Sequence, residues 1–216
     1  MVFLIIVYSL FPTVLLSNQE ILTTNTFSSG FNSDNFQQDI IYSLIIDIDG
    51  SVNLNSYEGS GYIIDIQNRP GRVGFPEVIE SKIGNPRLVQ FREIETDRLL
   101  QVKGWDLKLG NQTFWNLYLM SFGSNINLNN LNLINTEIIG TGDINMGKNL
   151  NSGDIFISGN FNIYVDTSLP IVVIGSAEVP AGWIDATIGY LNQTNENYKF
   201  KVIVEEGSNV VFQNGE

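Results

Sequence analysis

The 216-residue sequence contains no cysteine and no histidine. The first absence removes disulfides, thiolate nucleophiles and every cysteine-based metal site, while leaving the redox compartment open. The second removes the base of a Ser-His-Asp arrangement, so Glu58-Gly59-Ser60-Gly61 reads as a turn around Ser60, not as a nucleophile elbow. Charge is scarce at 16% of residues, which leaves solubility to Asn, Ser, Thr, Gln and Gly, as in an extracellular strand-rich protein. It is also one-sided. With 23 acidic against 11 basic residues the net charge is −12, a field that repels nucleic acid and anionic headgroups. Helical periodicity is missing after residue 20, because stretches such as IVEEGSNVV and IESKIG are too short and too β-branched.

What is present is apolar residue in quantity, 43% of the chain with 11% aromatic, enough to build a core. The longest apolar run, Val2 to Leu16, is uncharged and ends at Ser17-Asn18-Gln19-Glu20. At 15 residues it is shorter than the roughly 20 that a spanning helix needs. Residues 1–17 therefore read as a signal peptide or short anchor, although no Lys or Arg precedes the run and Leu15 is a poor match to a small-residue cleavage site. The competing reading is a buried first strand, VFLIIVY. Two sequons, Asn111-Gln112-Thr113 and Asn192-Gln193-Thr194, fit export and make Asn111 and Asn192 candidate glycosylation sites. The expected location is extracellular or at the cell surface, with membrane contact only through the N-terminal segment. Residues 18–38 mix Ser, Thr, Asn and isolated Phe without a period, as a linker or loose first element does.

Residues 39–216 read as a single all-β domain. Ile40 to Tyr57 predicts two strands across a turn at Asp49-Gly50, GYIIDIQN a third, and Asn68 to Pro86, with three prolines and three glycines, an irregular excursion. Strands resume in RLVQFREIE, RLLQVKGWDLKL and FWNLYLMSF. From Gly123 onward a frame recurs: Gly123-Ser-Asn-Ile126-Asn-Leu128, Gly142-Asp-Ile144-Asn-Met146, Gly159-Asn-Phe161-Asn-Ile163, echoed at Gly50 and Gly207. The spacing predicts stacked thin β layers in which Ile126, Ile144 and Phe161 are equivalent and point inward. Asn127, Asn145 and Asn162 then face outward in register, and the ends of the stack need caps.

These residues carry a family resemblance. Trp105-Asp-Leu-Lys-Leu109, Leu117 through Leu128, Leu131-Asn-Leu133 and Ile138-Ile-Gly-Thr-Gly-Asp-Ile-Asn-Met146 resemble the tryptophan strand, leucine-rich stretch and Gly-x-Gly-Asp strand of toast-rack domains. Gly159 to Val165, followed by Leu169-Pro170, resembles the segment preceding a proline in toast-rack, adhesin-like and LiaF-like C-terminal domains, with a longer turn before the proline. The similarity spans roughly Ile40 to Phe212. It implies a layered β-solenoid-like fold and an association with the cell envelope. It offers no catalytic residue. The several transmembrane helices common in LiaF-like proteins are absent from this sequence, which argues against a signalling role.

Few residues suggest chemistry. Asp47, Asp49 and Asn53 gather oxygen ligands around a glycine, as a hard cation requires, but the glycine stands at loop position 4 against 6 in an EF-hand, and a hairpin turn suits the pattern better. No metal or cofactor is expected. Asp143 and Asp154, in two Gly-Asp-Ile copies, could pair for acid/base work on sugars, although repeated Gly-Asp is ordinary turn chemistry. Arg69, Arg72, Arg87, Arg92 and Arg98 make the one basic region, read as pairing with excess carboxylates. Trp105, Trp115 and Trp183 read as core or cap residues ahead of sugar platforms. Two functions fit: an exported, non-enzymatic, adhesin-like protein that binds a glycan, an envelope protein or its own copies through strand edges, or a carbohydrate-active β-solenoid enzyme using Asp/Glu with Arg/Lys.

Overall fold

A computed structural model describes residues 23–28, 41–48, 50–68, 77–81, 83–92, 104–193 and 197–215. Among the described residues there is no helix, and the regular structure is 15 strands in one hydrogen-bonded network. In chain order the first seven are β1 (Thr23–Ser28), β2 (Ile41–Asp47), β3 (Val52–Tyr57), β4 (Tyr62–Asn68), β5 (Glu77–Glu80), β6 (Arg87–Arg92) and β7 (Gly104–Gly110). Three long strands follow: β8 (Phe114–Asn127), β9 (Asn132–Met146) and β10 (Ile155–Asp166). The last five are β11 (Ile171–Ile174), β12 (Ile184–Ala186), β13 (Gly189–Leu191), β14 (Phe200–Val204) and β15 (Asn209–Gly215).

The long strands belong to two sheets at once. Their first halves sit in a sheet ordered β5-β6-β2-β8-β9-β10-β14-β11-β13-β12, their second halves in a sheet ordered β1-β4-β7-β3-β8-β9-β10-β15. The interior pairings are parallel, and both sheets bury alternate residues in one apolar core. The columns of that core run across rungs. One comprises Ile64, Leu107, Leu54, Ile126, Ile144, Ile163 and Phe212, each directly opposite the next. All but Phe212, at 2%, are 0% exposed.

The step between the two halves falls at small residues. Ser121, Gly140 and Gly159 lie opposite one another, and a Cβ on Gly140 or Gly159 would come within 1.8 or 2.0 Å of the carbonyl oxygen of the preceding rung. Both glycines also have positive φ, 123° and 122°, so glycine is required twice over. β8 accommodates one extra residue here, between Ser121 and Ser124, as a bulge. The two serines hydrogen-bond each other at 2.7 Å, and Ser124 Oγ accepts from Val52 N at 3.0 Å, which satisfies polar atoms where the rungs pack closest.

Antiparallel strands close the stack. β5 and the β12–β13 pair end the first sheet, β1 and β4 flank the second, and the backbone of Glu178 bridges the outer side of β15. A cluster of aromatics fills the end near β6 and β7: Phe91 meets Tyr62 and Trp105 edge-on at 6.1 and 6.0 Å, and Tyr42 meets Trp115 at 5.4 Å.

The all-β layered expectation holds, with local corrections. β2 and β3 do not pair with each other, so the turn near Gly50 is a corner between sheets and not a hairpin. Part of the stretch read as linker or loose first element is β1, paired antiparallel with β4, and the excursion before Pro86 contains β5. The third repeat is out of step by two residues: Ile144 lies opposite Ile163, while Phe161 lies opposite Gly142. The cause is Gly140-Thr141-Gly142, in which the first glycine, not the second, matches Gly159. The outward row is accordingly Asn125, Asp143 and Asn162, and Asn127 and Asn145 align with Tyr164. The N-terminal segment 1–17 lies outside the described residues.

Candidate binding faces

Strand alternation turns half of every rung outward, and the two sheets present unlike surfaces. On the second sheet one outward row runs Thr26, Asp65, Asp106, Asn53, Asn125, Asp143, Asn162. Its carboxylates are bonded by neutral neighbours: Thr26 Oγ1 donates to Asp65 at 2.6 Å, Asn53 Nδ2 to Asp106 at 3.0 Å and Asn162 Nδ2 to Asp143 at 2.9 Å. Such bonds offset the repulsion of acids stacked along a ladder. Asparagine ladders also run along the turns, from Asn149 to Asn130 at 3.0 Å and from Asn151 to Asn132 at 3.3 Å.

The first sheet is different. Its central outward row is Ile79, Gln90, Ile45, Tyr118, Glu137, Phe156, Ile203, Ile174. Phe156 is 49% exposed, large for a phenylalanine on a sheet face. Parallel to this row, two residues along each strand, lie Ser43, Asn116 and Asn135, with Asn135 Nδ2 donating to Asn116 at 2.8 Å and Asn116 Nδ2 to Ser43 at 3.3 Å. On the other side lie Asp47, Met120, Ile139 and Ser158. Burial raises the Tyr118 phenol above its ordinary pKa, with Glu137 and Asp47 adding to the shift.

The residues singled out in the sequence are dispersed by this geometry. Asp47 lies 3.9 Å from Arg92 Nε on the first sheet, Asn53 bonds Asp106 on the second, and Asp49 lies outside the described residues. Among the described residues no group of three or more acidic side chains is placed to hold a metal ion. Asp143 faces out from the second sheet, whereas Asp154 precedes the first-sheet half of β10 and accepts from Lys201 N at 3.2 Å, so the two carboxylates do not form a pair. Arg87 Nη1 donates to Tyr42 at 3.3 Å, while Arg69, Arg72 and Arg98 lie outside the described residues. Trp105 and Trp115 are buried, and Trp183 stacks at 5.6 Å on Phe212 as part of the cap. Ser60 is in a turn bonded by Tyr57. Asn111 Oδ1 accepts from Gly59 N at 3.3 Å. Asn192 is a clamp: its Oδ1 accepts from Ile171 N at 2.9 Å and its Nδ2 donates to Leu169 O at 2.8 Å. The Tyr118–Glu137–Phe156 row escaped the sequence reading, because its members are 19 residues apart and each looks like one outward residue in an ordinary strand.

No protein-family model and no curated protein matches the chain. Solved structures do. A candidate cell adhesion protein from Clostridium sporogenes superposes with a TM-score of 0.63 at 13% identity, over 90% of this chain and 97% of that one. Candidate adhesins from Bacteroides fragilis, at 9% identity and a TM-score of 0.37, and from Parabacteroides distasonis, at 7% and 0.28, cover 90% of this chain and 97% and 98% of their own. The Clostridium likeness establishes the shared fold and nothing finer.

Proposed function

We propose that the chain is an exported, non-enzymatic binding protein of the cell surface, adhesin-like in that it offers extended sheet faces to a partner. The single observation that carries this reading is the placement of its polar chemistry. Carboxylates and amides are laid out in rows along the outer faces, Asp65, Asp106 and Asp143 each bonded by a neutral neighbour, and Asp143 and Asp154, the pair that sugar acid/base work would use, are set apart. A face of this kind recognises by area and periodicity. The shared fold with a candidate adhesion protein supports the same reading. The apolar segment Val2 to Leu16 supports export as a signal or short anchor.

The test is adhesion itself. Beads coated with residues 18–216 are expected to adhere to intact cells or extracellular matrix above beads coated with a denatured control, and tagged full-length protein is expected in the envelope or medium on fractionation. Protein found only in the cytosol, together with beads that do not adhere, sinks the proposal.

A further inference from the structure

The geometry points to the outer face of the first sheet as a binding strip for an extended, uncharged, β-1,4-linked glycan, with Tyr118 and Phe156 as stacking platforms and Glu137, Asn116 and Asn135 as hydroxyl partners. This inference rests on the reading of the chain as a surface binding protein and gives that reading a site and a ligand class.

Four observations carry it. First, Tyr118, Glu137 and Phe156 are directly opposite one another on β8, β9 and β10, so the two rings are two strand steps apart, about 10 Å. That is the order of the disaccharide repeat of an extended β-linked glycan, in which every second sugar presents the same face. Second, the rings project from a rigid parallel sheet, since the residues flanking each of them in its strand are buried: Leu117 and Leu119, Ile155 and Ile157. Aromatic faces held this way suit the C–H-rich face of a pyranose. Third, the amide row Asn116–Asn135 runs alongside at about 7 Å, two residues along the strand, within the width of a sugar ring. Each amide gives one N–H to the ladder and has a second for a hydroxyl, and Glu137 is exposed and accepts only. Fourth, charge selects the class. Among the described residues the cations flanking the strip stand at its opposite margins, Arg92 beside Asp47 and Lys201 beside Asp154, and the chain carries −12, so an acidic polysaccharide is repelled while a neutral one is not.

Isothermal titration with cellohexaose and chitohexaose tests the strip. At least one hexasaccharide is expected to bind, more tightly than its disaccharide, with affinity falling at least tenfold in Phe156→Ala and in Tyr118→Ala and disappearing in the double variant. Phe156→Trp is expected to retain binding. Circular dichroism melts of each variant establish that it is folded, and Glu137→Gln, which removes a charge without removing bulk, is expected to weaken binding without altering the melt. Failure of both hexasaccharides to bind overturns the inference. So does binding that survives in the folded double variant, or binding of hyaluronan in preference to both neutral probes. Bead adhesion separates the two levels of the argument. Wild-type adhesion that persists in the double variant leaves the surface-binding function standing and removes this site, whereas adhesion lost in the double variant without any glycan binding makes the strip a protein-docking face and overturns the ligand class.

Discussion

Ile163 and Asn162 are neighbours in the chain with opposite duties. Ile163 is fully buried between Ile144 and Phe212, while Asn162 is exposed and donates one bond to Asp143. Ile163→Ala is expected to cost about 2–5 kcal/mol through lost burial and an unfilled gap. Asn162→Thr is expected to cost less than about 1 kcal/mol, since the bond it forfeits is at the surface. Urea unfolding of the pair gives the comparison, and a costlier asparagine change would contradict the assignment of faces. Gly159→Ala is the sharper case. A methyl group there meets the Gly140 carbonyl oxygen at 2.0 Å with φ at 122°, and the loss is expected to exceed about 3 kcal/mol by the same measurement. A different effect belongs to Asp166, whose carboxyl is held below its ordinary pKa by the Ser168 hydroxyl first and the Ser168 amide second. Its contribution to stability is present above the unfolded pKa and fades as pH falls through the lower folded value.

Among the elements, β15 guards the stack. It covers the second-sheet half of β10, from Asn160 to Asp166, and its own outer side is bridged by Glu178. Deleting residues 207–216 is expected to bare that edge, to expose Phe161, Ile163 and Val165, and to make the truncated protein aggregate more than the full chain, as light scattering would record. The strands themselves were legible because alternation is a local property: every inward anchor of the repeated frame is buried. Register was not, and the reason is the same period of two. A slip of two residues keeps every side chain on its own face, so pattern alone cannot tell Phe161 from Ile163 as the partner of Ile144. What decides is which glycine of Gly140-Thr141-Gly142 meets Gly159, a close backbone approach between rungs. Partnering was equally hidden. Nothing in Ile41–Tyr57 says that its two strands pair with β6, β7 and β8 and not with each other. The candidate site was less legible than the fold, since a row such as Tyr118–Glu137–Phe156 exists only once the register is known.

At the scale of the molecule, four tyrosines set an alkaline limit. Burial raises the pKa of Tyr42, Tyr57, Tyr62 and Tyr118 above the ordinary value of 10.0, most strongly for Tyr62, which also feels Glu80. A group whose folded pKa is raised stabilises the fold fully below its unfolded pKa and loses that contribution as pH rises through the unfolded value and toward the folded one. Thermal melts are therefore expected to hold steady from neutral pH up to about 9 and to fall above about 10. Tyr62→Phe is expected to flatten that fall.

The strands are not stacked in the order in which the chain makes them. β11 is placed two positions from β10, and β14, made later, fills the gap with parallel bonds on both sides, continuing into β15 against β10. At the other end β8 is laid on the inner side of β2 and β3 after β6 and β7 have taken the outer side. In mechanical terms β14 is a pin driven between two plates. A pull along it finds no free edge from which bonds can peel one at a time and must shear both rows at once.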